Sequence, residues 1–164
     1  MAFSIEHGYR PGAIGRIADL HARYYARSTG FGVAFEAKVA RELAEFCERM
    51  DATHDRMWLV LDGDRIEGSL VIDGLHAADE GAHLRWFITS DALRGQGLGR
   101  QLVQDACAFV DACAVARSYL WTFSGLDAAR HLYEACGFRL AHAAPGRQWG
   151  TLVTEQRFER VRPG

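Results

Sequence analysis

The segment from His83 to Arg100 constrains this chain more than any other. Residues 83–89, HLRWFIT, are dense in aromatic and β-branched side chains and read as a strand. The strand leads within five residues into Arg94-Gly95-Gln96-Gly97-Leu98-Gly99-Arg100. Beyond it, Leu98, Leu102, Ala106, Phe109, Val110 and Cys113 recur at spacings of three and four, so a helix starts inside the glycine run. A strand that turns through glycines into a helix leaves several backbone N–H groups free at the positive end of the helix dipole, and together they suit a phosphate. Glycine is needed because a side chain would hold the anion off the amides and because a tight turn can demand a positive φ.

The spacing narrows what that phosphate belongs to. It is G-x-G-x-G, not the dinucleotide fingerprint G-x-G-x-x-G, and Val115–Leu120 offers no acidic residue to hold a ribose about 20 positions on. A nicotinamide enzyme is therefore disfavoured. Of the 19 basic residues only Lys38 is a lysine. No G-x-x-x-x-G-K-[ST] loop can be written, and a pyridoxal Schiff base would have only Lys38 to use.

The rest of the chain surrounds this unit with alternating elements. Phe3–Tyr9 begins strand-like, and Ile14, Ile17, Ala18, His21, Tyr24 and Tyr25 follow at helical spacing behind Pro11. A second helix after the Ser28–Gly32 break presents Phe35, Val39, Leu43, Phe46, Cys47 and Met50. Met57–Leu61 and Arg65–Asp73 flank an Asp62-Gly63-Asp64 turn and read as a hairpin. Tyr119–Phe123 is a buried strand, Ala128–Cys136 a short helix stopped by Gly137, and two closing strands follow around Pro145. This order predicts an α/β (α+β) fold, a mixed and mostly antiparallel sheet of about six or seven strands with about four helices on its two faces. His83–Phe123 should form a parallel strand–helix–strand crossover. With 164 residues, no repeat and no linker, residues 1–164 are expected to make one domain.

The formal charge of −2 argues against nucleic acid as a partner. Cysteines 47, 107, 113 and 136 include no C-x-x-C pair, so neither a metal site nor a disulfide framework is expected, and a reducing cytoplasm is the natural compartment. No apolar run approaches the roughly 18 residues that span a bilayer, so no membrane partner is expected either.

The string Arg94-Gly95-Gln96-Gly97-Leu98-Gly99, with Leu132-Tyr133-Glu134-x-x-Gly137-Phe138 downstream, resembles the GNAT superfamily of N-acetyltransferases. The first string matches its [RQ]-x-x-G-x-[GA] coenzyme A motif and the second its L-Y-x-x-x-G-F helix. The inferred order of elements agrees from end to end. The opening region YYARSTGFGVAFEAKVARELAEF also looks like the acetyltransferase half of MarR-type regulator fusions, without their winged helix.

The resemblance implies acetyl-CoA as co-substrate and no metal. Arg94, Gly95, Gln96, Gly97, Leu98, Gly99 and Arg100 would hold its pyrophosphate, and the backbone of Phe87, Ile88 and Thr89 would pair with the pantetheine arm as an added strand. Many members carry an asparagine seven residues before the helix tyrosine. Leu126 stands there in this chain, leaving Asp127 or Arg130 as substitutes. Tyr133 would return a proton to the departing thiolate, and a backbone N–H near Ile88 would meet the oxyanion. Family members often place a glutamate before the coenzyme motif; the nearest equivalent is His83, a candidate base, with Glu80 or a water chain behind it.

The aromatic side chains Tyr24, Tyr25, Phe31 and Phe35, with Trp86 and Trp149 on later strands, suit an apolar or cationic amine. Tyr25, Phe31 and Trp149 are expected to line the pocket and Phe35 and Tyr24 to pack in the core. The implied activity is transfer of acetyl to a primary amine of a small molecule by direct attack, with a protein N-terminus or lysine as the alternative acceptor. A non-catalytic acyl-CoA-binding module is the alternative of another class, and action on aminoacyl-tRNA is weakened by the charge. A homodimer is left open.

Overall fold

The computed structural model describes residues 2–164. Strands β1 (Phe3–His7), β2 (Arg56–Asp62), β3 (Arg65–Asp73), β4 (Ala82–Thr89), β5 (Arg117–Phe123), β6 (Arg139–Gly146) and β7 (Val153–Val161) form one sheet in the order β1-β2-β3-β4-β5-β7-β6. Helices are α1 (Ala13–Thr29), α2 (Val33–Arg49), α3 (Leu98–Ala112) and α4 (Asp127–Ala135). Every neighbouring pair of strands is antiparallel except β4–β5, which α3 joins as a parallel crossover. The predicted mixed sheet and four helices are present.

The central strands are apolar throughout because both faces of the sheet are covered. Trp58, Val60, Leu70 and Ile72 point into a core with Leu102, Val103 and Ala106 of α3, while Met57, Leu59, Leu61 and Val71 point into one with Ile17 of α1 and Leu43 and Phe46 of α2. The period-2 alternation of a strand thus sends successive residues of one apolar run to opposite cores. The first helix ends where Gly30 takes φ 76° and the Phe31 N–H reaches back to the Tyr25 carbonyl, so the chain turns directly into α2.

Two features of the sheet create a site. The β4–β5 ladder holds only Ala82↔Ser118 and His83↔Tyr119, after which the strands diverge. In the β3–β4 ladder the register shifts between Ser69 and Val71, and Trp86 takes φ 47°, rare for a bulky side chain. Ser69 Oγ, fully buried, donates to the Trp86 carbonyl at 2.7 Å and fixes this bulge.

The closing strands differ from the sequence expectation. Pro145 does not separate them; it lies inside β6 opposite Thr154, and residues 147–152 make the turn. A sheet edge tolerates proline because its missing N–H faces no partner strand. Trp149 consequently sits in that turn instead of on a strand.

Candidate active site

A cavity of about 710 Å³ occupies the fork between β4 and β5. Beyond His83 the facing edges of the two strands have no ladder between them, so their backbone donors and acceptors are left for something else to satisfy. Phe87, Ile88 and Thr89 line the cavity along the β4 edge. Trp86 and Phe87 also lack a register partner on β3 because of the bulge.

At one end of the cavity, β4 gives way to a 3₁₀ turn, Asp91–Leu93, capped by Ser90 Oγ accepting from the Ala92 N–H at 3.2 Å. Gly95 (φ 75°) and Gly97 (φ 71°) follow in the left-handed region, and Gly97 caps α3 with no side-chain hydrogen bond. The N–H groups of Leu98, Gly99 and Arg100 fall in the first helical turn, where no intrahelical acceptor exists. A Cβ built on Gly95 or Gly97 would meet nothing within 4 Å, so the loop before these amides borders open space, and a helix start of this kind suits an anion. Gly99 lies against Phe87 and Leu132, which sets the start of α3 beside the β4 edge.

Among the residues expected at a coenzyme, Phe87, Ile88, Thr89, Arg94 and Gly99 line the cavity, while Gly95, Gln96, Gly97, Leu98 and Arg100 form the loop and first turn at its mouth. Arg94 is exposed and pairs with Asp91 at 3.0 Å. Arg130 is placed elsewhere: its guanidinium lies over the Phe158 ring at 5.2 Å and near Glu134, outside the cavity wall. Leu126 and Asp127 line the cavity instead.

Tyr133 projects from α4 with only 6% of its surface exposed, held among the rings of Phe87, Phe138 and Phe158. It lines the cavity, and among the described residues no buried side-chain polar atom is both sealed and unpartnered, so its hydroxyl opens to the cavity. Burial, with Tyr25 nearby, raises its pKa far above the usual phenol range, so the group stays protonated at any physiological pH. His83 stacks on Tyr119 with centroids 4.4 Å apart and lines the same cavity. Burial, and then the positive charges of Arg85 and Arg157 against an opposing Asp73, lower its pKa well below the ordinary value. It is a neutral imidazole that can accept a hydrogen bond and relay a proton but holds one poorly.

His21, read from the sequence only as a helix-face position, also lines the cavity. Its Nδ1–H donates to the Ile17 carbonyl at 2.8 Å, leaving Nε2 as the acceptor, and burial lowers its pKa to about 4. The signal was its spacing of four from Tyr25 on an otherwise apolar face.

Tyr25 and Trp149 line the cavity, and so does Tyr24, which is exposed and not in the core, while Phe31 and Phe35 exchange their expected places. Phe31 is 3% exposed and stands behind the wall, stacked on Tyr25 and Trp149. Phe35 is in the wall itself, because α2 starts two residues after Phe31 and its first turn faces α1. Lys38 and Glu42 come one and two turns later on the same face and also line the cavity, with Arg85 of β4.

Among the described residues, no three His, Cys, Asp or Glu side chains gather as metal ligands, and no helix is long and apolar enough to cross a membrane. Residues 16–138 match the family model described as the acetyltransferase (GNAT) family. No match is found among curated proteins. Among solved structures, yncA from Salmonella typhimurium, determined with acetyl-CoA, superposes with TM-score 0.75 at 14% identity, over 99% of this chain and 95% of that one. Spermidine N-acetyltransferase from Vibrio cholerae, in complex with CoA and spermine, gives 0.70 at 19% identity over 98% and 95%. The ribosomal-protein-S18-alanine N-acetyltransferase from Escherichia coli gives 0.69 at 16% identity over 99% and 96%. At such identities these structures share the fold.

Proposed function

The chain belongs to the acetyltransferase (GNAT) family, and from that premise we propose that its cleft moves the acetyl group of acetyl-CoA to a primary amine of a small molecule by direct attack. The observation that carries the proposal is the fork between β4 and β5. A strand edge without a partner, a glycine-capped helix start and a buried phenol that opens inward meet in one cavity.

Acetyl-CoA supplies an activated thioester. The amides from Gly95 to Arg100, with Arg94 at the rim, are the groups that hold its pyrophosphate. The backbone of Phe87, Ile88 and Thr89 offers the donors and acceptors that the two pantetheine amides need once they leave water. A backbone N–H at the bulge beside Trp86 is held in place by the Ser69 hydrogen bond and meets the oxyanion that forms when the amine adds to the carbonyl. As the new C–N bond forms and the C–S bond breaks, the Tyr133 hydroxyl gives its proton to the sulfur. A thiol of this type has a pKa of about 8.5, below that of the phenol, so the transfer is drawn on by the breaking C–S bond as charge develops on the sulfur, and the phenol is restored at once from water. The amine proton leaves to water, with the neutral His83 as the relay.

The neighbours include one enzyme named for spermidine and one for a ribosomal protein. A small acceptor is favoured here because Tyr24, Tyr25 and Phe35 from the helices and Gln148 and Trp149 from the β6–β7 turn all close on the cavity. An extended peptide needs a groove open at both ends.

Free-thiol release from acetyl-CoA over a panel of primary amines tests the proposal, with coenzyme affinity measured by calorimetry. Turnover with at least one small amine, reduced in Tyr133→Phe while coenzyme affinity is kept, is the expected result. Tight coenzyme binding with no turnover on any small amine would overturn it.

A further inference from the structure

Resting on the acetyl-transfer reading above, we propose that the acceptor amine carries a carboxylate, bound by Lys38 and Arg85 at the α2 end of the cavity.

The only lysine of the chain stands in the cavity wall. Lys38 Nζ donates to one oxygen of Glu42 at 2.5 Å, and Arg85 Nη2 donates to the other oxygen of the same carboxylate. The two cations are therefore neighbours, and Glu42 has no oxygen left uncommitted. On its far side Arg85 reaches Asp73 at 3.2 Å, but Asp73 is already held bidentately by Arg49 at 3.0 and 2.7 Å. Along this chain three cations alternate with two anions; Arg49, at the far end, also faces Asp55 and Glu45, whereas Lys38 and Arg85 line the cavity.

The remaining acidic groups of the wall stand on other elements. Asp91 pairs with Arg94 beside the glycine loop, and Asp127 lies in the first turn of α4. Where α2 meets β4 the wall thus holds two cations and one anion. Beside Lys38 and Arg85 a second ammonium, as in a diamine, would meet like charge and a Glu42 carboxylate that is already committed. A carboxylate would instead meet an ammonium with two N–H donors not used by Glu42 and a guanidinium fork with donors to spare. Arg85 also lies over the Trp86 ring at 4.1 Å, which keeps its plane fixed.

Next to this charged end stand Tyr25, Phe35 and Trp149, and the His21 imidazole, whose Nε2 can accept from an incoming amine. Anion, amine and apolar body are then all provided for, a combination found in amino acids and absent from simple alkylamines.

The experiment compares matched pairs that differ only in the carboxylate: L-phenylalanine with 2-phenylethylamine, and L-methionine with 3-(methylthio)propylamine, together with putrescine. Thiol release gives kcat/KM for each on wild type, Lys38→Met and Lys38→Arg, with calorimetric coenzyme affinity as the check on folding. The expected result is at least a tenfold preference for the carboxylate-bearing member of a pair, lost in Lys38→Met and largely kept in Lys38→Arg. Equal or reversed preference in wild type, or preference for putrescine, overturns the proposal while leaving acetyl transfer standing. If no amine is turned over, acetyl transfer to a small amine fails, and calorimetry of the same pairs against the coenzyme A complex decides the site. Selective binding of the carboxylate member, weakened in Lys38→Met, supports it; equal binding or none overturns it.

Discussion

His83 of β4 stacks on Tyr119 of β5 with ring centroids 4.4 Å apart and planes within 19°, at the last register pair before the two strands separate. The pair closes the apex of the fork. Above it, each strand offers an unpaired edge to the cavity, and every group assigned to the chemistry stands on or beside those edges. The stack also explains why His83 is a weak base: its ring is covered by Tyr119, whose other neighbour is the Arg157 guanidinium 4.1 Å from the ring.

Replacing Tyr133 by phenylalanine removes one oxygen and little volume. Because the departing thiolate is a moderate leaving group, the loss should be about ten- to hundredfold in kcat, at the lower end of what a positioned acid contributes. Coenzyme affinity should be unchanged. Because burial holds the phenol protonated, the wild-type rate should rise with pH as the amine loses its proton and show no falling limb below pH 10 or so. Stopped-assay rates between pH 6 and 10 check both points.

Acid should weaken the fold before its carboxylates protonate. His21 is neutral when folded, with its pKa lowered to about 4 chiefly by burial, whereas an unfolded histidine titrates near 6.5. A depressed histidine means that the unfolded chain binds the extra proton first. The stability it contributes is complete above pH 6.5 and declines as the pH falls from there toward 4. His83, also lowered, adds to the same slope. Asp19, Asp73, Asp111 and Glu42 are lowered as carboxylates, so their loss comes at still lower pH. Urea midpoints should therefore fall between pH 6.5 and 5, and His21→Phe should flatten that fall.

Gly97 caps α3 at φ 71° and faces open space. Gly97→Ala imposes a left-handed alanine, at a cost of about 1 kcal/mol, and puts a methyl group where the anion is expected. Coenzyme affinity should drop at least tenfold by calorimetry, with the melting temperature only a few degrees lower.

Phe31 and Phe35 should separate by readout. Phe31→Leu removes a ring packed on Tyr25, Phe123 and Trp149 behind the wall, and should lower stability by about 1–2 kcal/mol. Phe35→Leu alters the wall itself and should shift KM among acceptors of different size. Chemical denaturation and the amine panel distinguish the two.

The elements of this fold were legible because their signals are local. Glycine pairs with positive φ at Gly30 and Gly97, and Met57–Leu61 is apolar because two cores claim alternate residues. The glycine loop was legible for the same reason: one short string contains the turn, the helix start and the strand before it. The acceptor side was not. Whether Phe31 or Phe35 meets the cavity depends on where α2 begins relative to the Gly30 turn, a matter of one residue. Pro145 reads as a turn unless its strand is known to be an edge. Lys38, Glu42 and Arg85 are distant in sequence, and only the packing of α2 against β4 brings them together.

A crystal structure of the protein with coenzyme A is the most direct measurement of whether the fork between β4 and β5 is the transfer site. The predicted result has the pyrophosphate on the amides of Gly95–Arg100, the pantetheine arm along Phe87–Thr89, and the sulfur within hydrogen-bonding reach of the Tyr133 hydroxyl. A coenzyme bound outside the fork, or one whose sulfur points away from Tyr133, would contradict the assignment.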